Sequence, residues 1–172
     1  SGKFITSTFY MDKLPEWVNK FNKQKLPNKY LSKKWETLYP IDSYKESTSD
    51  DNNYENGIVE GEKAVLPLDL PTLYKKHGYK ILRNTPFGCN LTFDIAKAAI
   101  AGENLGRNTD TDLLTISCSS TDYIGHQVGV NAIETEDCYL RLDKALADFF
   151  AYLDQTVGKG NYLTFLTADH GG

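Results

Sequence analysis

The chain has 172 residues, of which 40% are hydrophobic and 24% are charged, and 19 basic and 23 acidic residues give a formal net charge of -4 at pH 7. This length corresponds to about one domain, or to one domain with an appended subdomain. Because the two signs of charge are interspersed, the composition does not indicate a nucleic-acid or anionic-membrane partner. No apolar run approaches the ~20 residues of a membrane-spanning helix.

From Ser1 to about Asn56 the chain is rich in lysine, tyrosine and asparagine and contains few long apolar runs. A helix is predicted over Met11–Phe21, with Pro15 suited to its first turn. Its apolar residues recur at helical spacing: Leu14, Trp17, Val18 and Phe21. An aromatic, proline-interrupted stretch follows, and then the polar segment SYKESTSDDNNYENG, which is expected to form a surface loop. We therefore predict an irregular α+β cap or insert subdomain over residues 1–77.

From Gly78 the pattern becomes typical of an α/β protein. Three strands are predicted, over Tyr79–Leu82, Asp112–Ser117 and Tyr162–Thr167. Two helices are predicted, one from Phe93 to about Glu103 with Thr92 as its N-cap, and one over Glu134–Val157. The second helix has one apolar stripe, made of Tyr139, Leu142, Leu146, Phe149, Leu153 and Val157. A strand, a helix and a strand with short connections form a βαβ unit with parallel strands, so residues 78–172 are predicted to form a parallel-sheet core portion.

The three cysteines, Cys89, Cys118 and Cys138, are odd in number and lack CxxC spacing. They therefore predict neither a zinc knot nor a disulfide framework. Cys118 lies within a predicted apolar strand, which favours a buried free thiol.

Potential metal ligands follow two of the predicted strands. Asp122 and His126 lie four residues apart in SSTDYIGHQVG, which is predicted to be a loop, and Asp169 and His170 lie side by side in ADHGG. The carboxyl ends of parallel strands meet at one edge of a sheet, and zinc accepts both carboxylate and imidazole ligands. Either motif alone also fits an Asp that caps a loop beside a satisfied His. The two together use two of the three histidines and favour a metal site, whereas His77 is predicted to be a solvated residue at a helix end.

These motifs carry a family resemblance. STDYIGHQVG and FLTADHGG resemble the alkaline phosphatase superfamily, which also contains nucleotide pyrophosphatases and phosphodiesterases. The stretches YMDKLPEWV, NTPFGCNLT, AKAAIAGENLG, YLRLD and VGKGNY are similar to the PafA-type periplasmic alkaline phosphatases, from about Phe4 to Gly172. The resemblance implies an alkaline-phosphatase-like fold, a periplasmic location and a centre of two zinc ions. It implies that Asp122 and His126 hold one ion and that Asp169 and His170 hold the other.

Other parts of the family pattern have no matching position here. They are an early Asp ligand, a nucleophilic Thr, a Lys and an Arg that hold phosphate, and a last His ligand. The resemblance therefore implies an internal piece of a longer polypeptide, with the nucleophile outside this chain. Thr85 and Thr92 lie near a predicted strand-to-helix turn, but NTPFGCNLT matches a later family segment, so neither is assigned as the nucleophile.

For the longer protein, the resemblance implies zinc-dependent hydrolysis of phosphate monoesters by two metals and a Thr, while the isolated chain is expected to be inactive. Two alternatives remain open. One is a phosphodiesterase, nucleotide pyrophosphatase or sulfatase on the same metal scaffold. The other is a non-catalytic cap or assembly module. The substrate-contacting residues that would discriminate among the enzymes lie outside this chain.

Overall fold

A computed structural model describes residues 2–171, so Ser1 and Gly172, the last residue of the second motif, lie outside it. Six α-helices occur in that range: α1 Glu16–Lys23, α2 Leu26–Tyr30, α3 Leu70–His77, α4 Phe87–Gly102, α5 Ser120–Val128 and α6 Ile133–Leu153. Two short strands, β1 Lys34–Trp35 and β2 Leu68–Asp69, pair antiparallel. Ile41–Ser43 and Gly78–Asn84 are 3₁₀-helical, and Asp154–Gly158 forms a π-helical turn after α6. None of the helices in residues 2–171 has the length and apolar character needed to cross a membrane.

The helix predicted over Met11–Phe21 is present as α1, but it begins later, at Glu16. Pro15 precedes it as the N-cap residue, with extended backbone. The side chains of Val18 and Phe21 are buried, which confirms the predicted apolar face.

The segment that leads into α4 differs from the prediction. Tyr79–Leu82 is part of a 3₁₀-helix, so the predicted strand is wrong. The helix begins at Phe87, directly after Pro86, which places Thr92 inside α4 and not at its N-cap. The Thr92 hydroxyl instead donates a hydrogen bond of 3.0 Å to the Gly88 carbonyl, one turn earlier. Pro86, in the sequence NTPF, therefore marks the start of α4, because proline is favoured where a helix begins.

The long helix predicted over Glu134–Val157 is confirmed as α6, with its last turn in the π-helical form. It packs on α4, where Phe93, Ala96 and Ile100 meet Ala145, Phe149 and Leu153 in one hydrophobic cluster. The rings of Phe93 and Phe149 lie 5.3 Å apart between centroids. Tyr139, predicted to belong to the buried stripe, is exposed.

A second hydrophobic cluster contains buried residues from both sides of the predicted boundary at residue 77. Leu31, Trp35 and Ile58 come from the first part of the chain, and Ile124 and Cys138 come from the second. The division into a cap and a core stays a prediction.

Asp137 of α6 links the two parts of the chain through polar contacts. Its fully buried carboxylate accepts hydrogen bonds from Trp35 Nε1 (2.7 Å), from the Leu38 backbone N–H (2.7 Å) and from the Tyr44 hydroxyl (2.5 Å). Arg141, one turn further along α6, donates from Nε to Asp137 Oδ2 at 2.6 Å. Each acceptor oxygen of this buried charge is thus satisfied, which is the condition under which a buried charge is tolerated.

The two segments predicted as strands of a βαβ unit, 112–117 and 162–167, run without helical or ladder hydrogen bonds in the described part of the chain. We call them the two extended segments. Four of their large apolar side chains are between 79% and 88% exposed: Leu113, Leu163, Phe165 and Leu166. Residues 2–171 therefore contain no parallel sheet, and the only ladder is the β1–β2 pair.

Cys89, Cys118 and Cys138 are free thiols in the described part of the chain. Cys89 and Cys138 are buried, while Cys118, predicted to be buried, is only partly covered.

Candidate metal centre

Helix α5 carries the first of the two motifs. Asp122 and His126 were expected in a loop, but they lie four residues apart on α5 and therefore on one face of the helix. The opposite face is buried, with Ile124 and Val128 packed in the larger hydrophobic cluster. This amphipathic pattern orients the acid and the imidazole toward solvent.

The start of α5 lies very close to the start of α4. A Cβ at Gly88 would collide with the Ser120 hydroxyl oxygen, so the absence of a side chain at this position lets the two helix starts approach closely. At the other end of the helix, the Gln127 side-chain amide donates a hydrogen bond of 2.7 Å to the Gly57 carbonyl. Helix α5 is thus fixed at both ends, and the position of Asp122 and His126 follows from this.

The second motif meets the first in space. Asp122 Oδ1 lies 3.2 Å from His126 Nε2 and 3.1 Å from His170 Nε2. The two imidazole rings are 5.6 Å apart between centroids and inclined by 53°. Asp122, His126 and His170, which we call the Asp-His-His triad, form the one group of three or more potential metal ligands found within residues 2–171. The fourth predicted ligand, Asp169, is exposed and lies outside this group.

His170 is oriented by the backbone next to it. Its Nδ1 lies 2.7 Å from the Gly171 carbonyl oxygen. This contact, together with the negative charges of Asp169 and Asp122, raises the pKa of His170 above its usual value. With the Nδ1 proton donated to that carbonyl, Nε2 faces Asp122, and loss of the Nε2 proton would leave a lone pair there for a metal ion.

The donors of the triad fit zinc. Two imidazole nitrogens and one carboxylate oxygen are ligands that zinc accepts at about 2.0–2.2 Å, and adjacent ligands on a tetrahedral ion lie about 3.3 Å apart. The observed contacts of 3.1 Å and 3.2 Å are close to that spacing. The same contacts are also compatible with two metal ions about 4 Å apart, with Asp122 and His126 on one ion and His170 on the other.

His77 does not belong to this site, but the prediction of a solvated side chain is wrong. It is the last residue of α3, and its Nε2 lies 2.8 Å from Glu62 Oε1 with most of the ring covered. Lys76 Nζ binds the same carboxylate oxygen at 2.6 Å. The role of His77 is thus to join α3 to the preceding loop.

Sequence reasoning missed one feature beside the triad. The guanidinium of Arg83 stacks over the Tyr123 ring, 4.5 Å from its centroid, next to Asp122. Arg83 reaches this position from the 3₁₀-helix that the sequence had indicated as a strand, so no signal in its neighbourhood pointed to the contact.

Comparison with known proteins gives a family. Residues 5–172 match the family model described as type I phosphodiesterase / nucleotide pyrophosphatase. A protein of Myroides odoratus named "Calcium-transporting ATPase" is 56% identical over 99% of this chain, and alkaline phosphatase PhoV of Synechococcus elongatus is 54% identical over 99% of it. This chain covers 32% and 31% of those two proteins.

A solved structure is similar as well. The crystal structure of wild-type alkaline phosphatase PafA matches with a TM-score of 0.89 and 47% identity, over 93% of this chain and 31% of that one. This likeness confirms the alkaline-phosphatase-like fold that the resemblance implied. The parallel sheet within that fold stays a prediction. The chain spans about a third of the length of these relatives. It belongs to the type I phosphodiesterase / nucleotide pyrophosphatase family of the alkaline phosphatase superfamily, and within it to the relatives of PafA.

Proposed function

We propose that this chain supplies part of the two-zinc centre of a phosphatase that hydrolyses phosphate monoesters. The observation that carries the proposal is the approach of His170 to Asp122 and His126, from motifs more than forty residues apart in the sequence. Relatives named as alkaline phosphatases support the monoester substrate. The nucleophilic Thr, the phosphate-holding Lys and Arg, and the remaining metal ligands would come from the rest of the polypeptide.

In this proposal Asp122 and His126 hold one zinc, and His170 holds the other together with Asp169. When bound, the two ions supply Lewis acidity to the attacking and leaving oxygens of an in-line phosphoryl transfer. The chain's own part is to hold the donors in place. Helix α5 fixes Asp122 and His126 relative to each other, and the Gly171 carbonyl directs His170 Nε2 toward them.

The two extended segments fit the same proposal. We assign 112–117 and 162–167 to neighbouring strands of a parallel sheet whose other strands come from the remainder of the polypeptide. Their exposed apolar side chains, Leu113, Leu163, Phe165 and Leu166, support this, because such runs are typical of strands buried on both faces. Asp122 and Asp169 then follow the carboxyl ends of two strands, where α/β enzymes bind ligands. Residues 1–77 would form a cap subdomain beside this core, and the enzyme would be periplasmic.

A diesterase is the alternative that a specific observation favours, since the matching family model is described by phosphodiesterase and nucleotide pyrophosphatase activities. The same metal centre serves both classes. Comparing turnover of an aryl phosphate with that of a bis-aryl phosphate discriminates the two, and we expect the monoester to be preferred.

The test uses the full-length polypeptide. Asp122→Ala, His126→Ala, Asp169→Ala and His170→Ala should each lower kcat/KM for an aryl phosphate on the order of 100-fold or more, since each removes a donor from a metal that stabilises developing charge. Zinc content, measured by atomic emission, should fall in the same variants. His77→Ala is the matched control and should retain its zinc and near-normal turnover. Normal turnover and zinc content in the His126 and His170 variants would overturn the proposal.

A further inference from the structure

A cleft opens at the start of α5, the helix that carries Asp122 and His126. It has a volume of about 250 Å³ and lies among the 3₁₀-helix Gly78–Asn84, the first turns of α4 and the start of α5. No carboxylate lines it. Its polar side chains are one guanidinium and five hydroxyls, from Arg83, Tyr79, Thr92, Ser117, Ser119 and Ser120. The lining therefore offers hydrogen-bond donors and one positive charge.

The charge of Arg83 has no counter-ion within residues 2–171. Its side chain is exposed and belongs to none of the ion pairs of that range. The guanidinium hydrogen bonds of the described residues are made by Arg107 and Arg141. A guanidinium with free N–H groups matches the oxygens of a carboxylate or a phosphate, which it can bind through two parallel hydrogen bonds. An anion is therefore the ligand that Arg83 fits.

Tyr123 holds Arg83 close to the candidate metal centre. The guanidinium lies over the Tyr123 ring, 4.5 Å from its centroid, and this cation–π contact leaves the edge of the guanidinium available to a ligand. Tyr123 directly follows Asp122 in α5 and precedes His126 by three residues, a spacing at which side chains are neighbours on a helix. The positive charge thus lies next to the two side chains that we assign to one zinc ion.

The serine hydroxyls of the cleft lie at the end of the first extended segment. The hydroxyl oxygens of Ser117 and Ser119 are 3.0 Å apart, and both residues are exposed. Ser117 is the last residue of segment 112–117, which we have assigned to a strand, and α/β enzymes bind substrates at the carboxyl ends of strands. Hydroxyls donate hydrogen bonds to anions without adding charge. The cleft therefore suits a polar, negatively charged group at the edge of the metal centre.

We propose that Arg83 recognises an anionic group, a carboxylate or a second phosphate, on the alcohol part of the phosphate monoester. This inference rests on the proposed phosphatase function and names its class of substrate, which is esters of alcohols that themselves carry a negative charge. The phosphate of the ester would be held by the zinc ions and by residues from the rest of the polypeptide. Arg83 would therefore determine which ester is preferred and would leave the phosphoryl transfer itself unchanged.

The test compares two aryl phosphates as substrates of the full-length, zinc-loaded polypeptide. para-Carboxyphenyl phosphate carries the additional anion, and para-chlorophenyl phosphate is a neutral counterpart with a leaving group of similar basicity. Arg83→Ala should lower the ratio of kcat/KM for the first ester to kcat/KM for the second about tenfold, because a charge-assisted hydrogen bond is lost. Arg83→Lys should lower this ratio less, since it keeps the charge and loses the planar fork.

Lys80→Ala is the matched control. Lys80 is an exposed basic residue of the same 3₁₀-helix that does not line the cleft, so its loss should leave the ratio unchanged. A purely structural role of the contact between Arg83 and Tyr123 would lower kcat/KM for both esters by the same factor. The same ratio in the wild type and Arg83→Ala would therefore overturn this inference alone. No turnover of either ester by the wild type would overturn the proposed function together with it.

Discussion

The packed interior around α4 and α6 differs sharply from the two extended segments, although both are rich in apolar residues. In the interior, Phe93 and Phe149 are in ring contact and Asp137 has every oxygen satisfied. In the extended segments, Leu163 and Phe165 are exposed and the backbone has no ladder. A helix satisfies its backbone hydrogen bonds within one segment, whereas a strand needs a neighbour. The backbone hydrogen bonds of the helices are therefore complete within the described residues, whereas the strands that we propose for the extended segments would need neighbouring strands.

The largest effect is expected at the polar centre of the interior. Asp137→Ala in the full-length polypeptide should reduce the free energy of unfolding by about 3–5 kcal/mol, because it leaves Arg141 without its buried partner and Trp35 Nε1 without an acceptor. Urea unfolding followed by tryptophan fluorescence measures this. Asp143→Ala, an exposed acid of the same helix, should change the stability by less than about 0.5 kcal/mol. Equal losses of unfolding free energy in the two variants would show that the Asp137 contacts do not stabilise the fold.

Glu134, also on α6, is a buried carboxylate that has no hydrogen-bond partner among residues 2–171, in contrast to Asp137. Its pKa of about 8 in the folded chain exceeds the ordinary value of 4.5, so the folded state holds an additional proton between those two pH values. The stability of the wild type should therefore fall as pH rises from about 4.5 to about 8, by on the order of 2–4 kcal/mol relative to Glu134→Gln. Unfolding curves of both proteins at several pH values test this. Parallel pH dependence in the two proteins would mean that Glu134 ionises normally.

A smaller effect is expected in the two extended segments, and it tests whether segment 162–167 is a buried strand. Phe165→Ala in the full-length polypeptide should reduce the stability by at least about 2 kcal/mol, because we expect strands from elsewhere in the polypeptide to bury that ring. Tyr54→Ala, at an equally exposed aromatic side chain of the polar loop, should have an effect within about 0.5 kcal/mol. Thermal unfolding of both variants makes the comparison. Equal small effects would argue against the assignment of 162–167 to a buried strand.

The smallest effect is expected at an exposed ion pair of the polar loop. Lys63 and Asp51 form an ion pair of 3.4 Å with both side chains mostly exposed. Lys63→Ala should change the stability by less than about 0.5 kcal/mol, and that difference should vanish in high salt. Unfolding at low and high ionic strength measures it, and a loss of several kcal/mol would show that Lys63 counters more than Asp51.

The sequence predicted the helices better than the strands. The stripe of α6 and the face of α1 followed from a periodicity that one segment contains by itself. Tyr79–Leu82 was predicted wrongly because four residues are too few to distinguish a buried 3₁₀ turn from a strand. Thr92 was misplaced because a threonine favours N-caps, yet its hydroxyl can also bond one turn back within a helix.

The site could be predicted in part. Motif and resemblance predicted Asp122, His126, Asp169 and His170 as metal ligands, and the structure brings three of them together, Asp122, His126 and His170. That they bind a metal stays a prediction. The sequence predicted that the two motifs would converge, but the resemblance assigned Asp122 and His170 to different ions, so their contact of 3.1 Å was not foreseen. The unpartnered state of Glu134 was equally hidden, because burial at the first turn of α6 depends on how the distant loop 47–57 packs there.

The most direct test of the metal centre is a crystal structure of the full-length polypeptide with data collected at the zinc absorption edge. We expect two anomalous peaks about 4 Å apart, one within about 2.2 Å of Asp122 and His126 and the other within about 2.2 Å of His170. Zinc peaks remote from all three side chains, or zinc-loaded protein with no peak at the triad, would contradict the proposal that this chain supplies part of a two-zinc centre.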